Sequence, residues 1–161
     1  MNNLDINTPR GQKSLEYERK MIERIERELN VDIFETDKKS AAKCDGIMVK
    51  RNELVGVFES KCRNMSVSQL YKFGSWLITH KKIEFGKMLS EMMMVRFYGF
   101  LYLIPDDSIL AWMITDKEGN YAFKFDSWET ETQETINGGK AIRNNSFLPV
   151  DNAMWIHDGR D

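Results

Sequence analysis

The order of hydrophobic periodicities along the chain predicts an α/β (α+β) fold, one mixed central sheet flanked by helices. Three observations lead there. An amphipathic helical stretch is followed by three short extended runs, then helical spacing returns, then extended runs again. The third run, Leu54 to Lys61, is apolar for long enough to lie inside a sheet. Finally, 161 residues with 42 % hydrophobic and 11 % aromatic side chains suffice for one core. Residues 12–161 are therefore read as a single domain behind a loose arm.

That arm, residues 1–11, is rich in Asn, Pro and Gly and has no period. From 12 to 29, Leu15, Ile22, Ile25 and Leu29 form one helical stripe, with Ser14 available as a cap. Residues 31–36 read as a short strand, 38–43 as a polar connection and 44–49 as a second strand. A tight turn over 50–53 leads into the third, 54–61, so the last two form a hairpin that ends in charge. Ser66 caps a helix that runs through Leu70, Phe73, Leu77 and Ile78, and a further helical stretch continues to Met94. Strands are expected over 96–104, 109–115 and 121–128, and the chain end is ambiguous. The triple Met92 to Met94 reads as adaptable core filling.

Two cysteines, Cys44 and Cys62, are too few for a disulfide scaffold and lack the partners of a closed zinc site or iron-sulfur cluster. No stretch reads as a signal peptide or membrane span, so a soluble, cytoplasmic protein is expected. The net charge of −2 hides an asymmetry. Residues 1–100 hold 18 Lys and Arg against 14 Asp and Glu, whereas 101–161 hold 5 against 11. Cations near Lys39 and Lys43, at Arg63, and at Lys81 and Lys82 with His80 are candidate contacts to a nucleic-acid backbone; solvated surface charge explains such groups equally well.

The chemistry concentrates at the hairpin. Asp45 begins its first strand and Glu59 ends the second, with the turn about midway, so antiparallel pairing returns Glu59 beside Asp45. Strand alternation puts Glu59 and Lys61 on one face and Ser60 on the other. Two hard carboxylates meeting at one point suit Mg²⁺, and a lysine beside them can act on a water. Two other triplets of the same form, Glu18-Arg19-Lys20 and Asp37-Lys38-Lys39, fall in a helix and a loop and lack an Asp opposite.

Asp45, Glu59 and Lys61 in this context resemble the PD-(D/E)xK nuclease superfamily, whose restriction-endonuclease-like core is a helix followed by a hairpin ending in the triplet. Cys44 stands where the name-giving Pro would be. The resemblance implies that Asp45 and Glu59 bind Mg²⁺, with Mn²⁺ as substitute, and that Lys61 orients or activates the water. Ser60 is a further candidate ligand. The superfamily often has a first-helix Glu at the site, which the resemblance places at Glu18; that residue also falls on the apolar stripe, and Glu16 is the second choice. Gln69, four before Phe73, is similar to the QxxxY element of RecB-type members, with Phe in place of Tyr.

The expectation is a Mg²⁺-dependent nuclease, DNA ahead of RNA as substrate, with a homodimer as one arrangement. Its rivals are a catalytically idle module of the same fold that binds nucleic acid or a partner, and an unrelated interaction protein holding the triplet by accident. A nucleotide P-loop is rejected around Lys140, which lacks the earlier Gly and the following Ser or Thr, and no GxSxG supports a hydrolase triad.

Overall fold

The structure is a computed structural model that describes residues 8–37, 44–131 and 142–160. Helix α1 spans Pro9–Leu29. Thr8 caps it by accepting from the Gly11 amide at 3.0 Å, and Pro9 sits at the first helical position, where its missing N–H leaves no bond unmade. The helix thus starts inside the expected arm. Asn30 ends it in the left-handed region at φ 53°.

Strands β1 (Asp32–Glu35), β2 (Gly46–Lys50) and β3 (Glu53–Arg63) form an antiparallel meander. Arg51 and Asn52, both at positive φ, make the tight hairpin turn between the last two. Helix α2 (Val67–Phe73) is shorter than expected. Gly74, at φ 84°, closes it, and residues Ser75–Thr79 form strand β4 rather than the rest of a helix. Helix α3 (His80–Met93) leads to β5 (Arg96–Leu103) and β6 (Ser108–Thr115). The expected strand over 121–128 is displaced: β7 covers Asp126–Glu131, and Tyr121 makes only a single bridge to Thr115. The ambiguous tail supplies β8 (Ile142–Pro149) and β9 (Met154–His157).

A six-stranded sheet runs β1-β2-β3-β5-β6-β9, antiparallel except for the central β3–β5 pair, and a three-stranded antiparallel sheet runs β4-β8-β7. The mixed α+β class matches the sequence reading. Each face of the large sheet has its own core. On one, Met21, Ile22 and Ile25 of α1 pack on Phe58, Phe100 and Tyr102. On the other, Val57, Phe97 and Leu101 meet Leu70, Trp76, Ile83 and Leu148. Gly86 on α3 lies so close to the Phe97 ring that a Cβ would overlap it, which fixes how tightly α3 seats on the sheet. Among the described residues no helix is long and apolar enough to cross a membrane.

Candidate active site

A bulge sets the site. The pairing passes from Lys50↔Glu53 and Val49↔Leu54 to Met48↔Gly56, so β3 carries one extra residue. Beyond it Gly46 faces Phe58, and continuing that register puts Asp45 opposite Glu59. Without the bulge Asp45 would face Phe58, and the two carboxylates would lie out of step. The Asp45 amide donates to the Phe58 carbonyl at 2.9 Å, and its Oδ2 accepts from the Ser60 amide at 2.7 Å and the Ser60 hydroxyl at 3.5 Å. Those bonds hold the carboxylate against the end of β3.

Glu59 is 2 % exposed. Burial first, then the nearby Asp45 carboxylate and a hydrogen bond to it, push its carboxyl up to about 8, against the opposing pull of Lys82. Its position beside Asp45 thus favours the protonated form of Glu59 well above the ordinary carboxylate range. Lys82, on the first turn of α3, places Nζ 3.2 Å from Glu59 Oε2. Lys61 is half-buried two positions along. Burial and the Lys82 ammonium draw its own ammonium below the ordinary lysine range, while Asp45 and Glu59 oppose the shift. Burial also raises the Cys44 thiol, with smaller upward contributions from Glu59 and Asp45.

The strand's alternation decides which helix reaches this cluster. Glu59 and Lys61 share the parity of Val57, which belongs to the core under α2 and α3, whereas Phe58 and Cys62 belong to the core under α1. Glu18, half-buried on α1, thus rides on the helix that covers the other face, and Glu16 is exposed. Among the described residues no group of three or more His, Cys, Asp or Glu is placed to hold a metal, so Glu18 does not join Asp45 and Glu59 as expected. Glu18 is half-buried on α1, and the apolar stripe could not say which face of the sheet that helix covers.

Other expected site residues are placed elsewhere. Gln69 is exposed and spends its amide on a capping box: its Oε1 accepts from the Ser66 amide at 2.8 Å, and the Ser66 hydroxyl accepts from the Gln69 amide at 3.1 Å. Ser-x-x-Gln before an apolar run was the sequence signal for that role. Lys82 turns in to Glu59 instead of out to a substrate. His80 is engaged through both ring nitrogens, Nδ1 with the Ser146 hydroxyl at 2.7 Å and Nε2 with Glu84 at 3.1 Å. Lys81 and Arg63 are exposed, and Lys39 and Lys43 lie outside the described residues. Sequence reasoning missed the Lys82–Glu59 pair, whose only trace is a lysine beside the buried Ile83.

Two adjacent carboxylates form an anionic oxygen pair once Glu59 is ionised, the donor chemistry that a hard divalent cation takes. The pair fits Mg²⁺ or Mn²⁺ in donor type, with Lys82 already supplying part of the neutralising charge. No family model, curated protein or solved structure matches the chain.

Proposed function

We propose that Asp45, Glu59 and Lys61 form the centre of a divalent-metal-dependent nuclease acting on DNA ahead of RNA. One observation carries this reading: Glu59, a carboxyl buried within β3, lies beside a second carboxyl, with Lys61 two positions along and Lys82 in contact. Burying like charges together is costly unless something neutralises them, and perturbed groups of this kind gather at functional sites. A helix followed by a hairpin ending in Glu-x-Lys is also the core that the PD-(D/E)xK resemblance implies.

In this reading Asp45 and Glu59 hold the ion, and Ser60 orients Asp45 through its amide. Bound there, Mg²⁺ supplies charge neutralisation at the scissile phosphate and a more acidic water. Lys61, whose ammonium is drawn below the ordinary lysine range by burial and by Lys82, would orient the attacking water or take its proton. Lys82 favours the ionised form of Glu59 against its burial. Incubation with Mg²⁺ or Mn²⁺ and linear, circular, single-stranded and branched DNA, with RNA beside them, tests for cleavage.

The alternative is a catalytically idle binding module of the same fold, and the Lys82–Glu59 ion pair favours it, because that pair satisfies the carboxylate with no metal at all. Absence of Mn²⁺ binding by a protein that still binds nucleic acid would select this second reading.

A further inference from the structure

A groove of about 1060 Å³ opens beside the three-stranded sheet, apart from Asp45, Glu59 and Lys61. Phe73, Tyr121, Phe123, Phe125, Trp128 and Phe147 line it. Three of these rings are exposed: Phe73 is 74 % exposed, Trp128 50 % and Tyr121 39 %. Several exposed aromatics around one concavity mark a binding surface, since each keeps apolar area hydrated in the free protein. Trp128 stands on β7, an edge strand, and stacks one face on Phe147 with centroids 3.9 Å apart and planes 17° off parallel. Half-exposed and held flat from behind, it presents a platform on which a further ring can continue the stack.

The polar groups and the charge narrow the occupant. Exposed Ser127 reaches into a chain in which its hydroxyl lies 2.8 Å from that of Ser146, itself 2.7 Å from His80 Nδ1. The lining carries one cation, Lys124, and one anion, Asp126. With no net charge in the lining, contacts to a phosphate backbone have to come from outside it, and the rings and hydrogen-bonding groups are what the groove itself offers. Flat, uncharged rings with hydrogen-bonding edges suit it, and unpaired bases have both. The groove also adjoins α3. His80 lines it, and Lys82, two residues on, touches Glu59, so the first turn of that helix separates groove from site. Helix amides at this end and exposed Lys81 favour phosphates there.

We propose that the groove binds the unpaired bases of a single-stranded nucleic acid, whose backbone then crosses the start of α3 toward Glu59. The choice of nucleic acid rests on the nuclease reading. The test is fluorescence anisotropy in EDTA with a labelled DNA single strand of about 12 nucleotides, within the usual span of such sites. The same sequence as duplex and a proline-rich peptide serve as rival probes. The single strand should bind tighter than either, and Trp128→Ala and Phe73→Ala should each weaken it roughly tenfold, the scale of one lost stacking partner. Both side chains are exposed, so folding survives, and Phe34→Ala on distant β1, 58 % exposed, should change nothing. Tighter binding of duplex or peptide, or full affinity in both groove variants, overturns the proposal. Because binding is read in EDTA, with no divalent ion and no cleavage, failure of the groove is distinguishable from failure of the metal site.

Discussion

Lys82 Nζ lies 3.2 Å from Oε2 of Glu59, and the two come from different layers, the first turn of α3 and the interior of β3. This contact ties the helix to the strand that carries the candidate site. It is also the main force opposing protonation of Glu59.

Lys82→Ala should therefore destabilise the protein in a pH-dependent way. Above about pH 8 the parent's ionised Glu59 is held by Lys82, whereas the variant must either bury an unpaired carboxylate or keep it protonated, at a cost on the order of 2 kcal/mol. Near neutrality and below, where Glu59 holds its proton, the cost should shrink. Urea unfolding at both ends of that range measures it, and a pH-independent loss would mean that Lys82 contributes packing alone.

Glu59 itself should give stability a downward slope with rising pH. Its folded-state carboxyl is raised to about 8 from an ordinary value of 4.5, so the folded state binds the extra proton between those limits. Stability is fully present below the lower limit and is lost as pH climbs toward the upper, by at most about 1.4 kcal/mol per pH unit for one proton. Glu59→Gln should flatten the slope and be the more stable protein near pH 8. An unchanged slope in the variant assigns the titration to another group.

Gln69→Ala separates capping from catalysis. Loss of the side-chain half of the capping box should lower stability by about 1 kcal/mol, seen as an earlier thermal transition. Mn²⁺ affinity should stay at the parent value, because Gln69 closes the start of α2 and does not reach Asp45 or Glu59. A variant that melts normally but loses metal would restore Gln69 to the site.

The hairpin was legible because its turn and its apolar interior agree: Arg51 and Asn52 reverse the chain, although spacing from that turn alone would set Asp45 opposite Phe58, one residue short of Glu59. The bulge that brings Asp45 and Glu59 into step left one mark in the sequence, Gly56, a glycine inside an otherwise apolar strand next to the unpaired Val55. β4 was hidden by coincidence: Leu70, Phe73, Leu77 and Ile78 keep helical spacing across Gly74, yet that glycine ends the helix and the β-prone Trp-Leu-Ile-Thr run pairs with β8. Glu18 failed for a different reason. Periodicity within one helix reports its buried side, whereas the face of the sheet it covers is a tertiary fact. The Lys82–Glu59 pair and the aromatic groove likewise join residues far apart in the chain, beyond the reach of local pattern.

The most direct test of the proposed centre is calorimetric Mn²⁺ titration of the parent, Glu59→Gln and Lys61→Ala proteins, with cleavage of DNA followed in parallel. The parent should bind Mn²⁺ more tightly as pH rises toward about 8, releasing the proton that Glu59 holds. Glu59→Gln should lose both metal affinity and cleavage while remaining folded. Lys61→Ala keeps both carboxylates, so it should bind the ion yet cleave slower by roughly two to four orders of magnitude, the scale of losing a positioned proton acceptor. A Glu59→Gln protein that still cleaves DNA, or a parent that binds no Mn²⁺ at any pH, would contradict a nuclease centre at Asp45, Glu59 and Lys61.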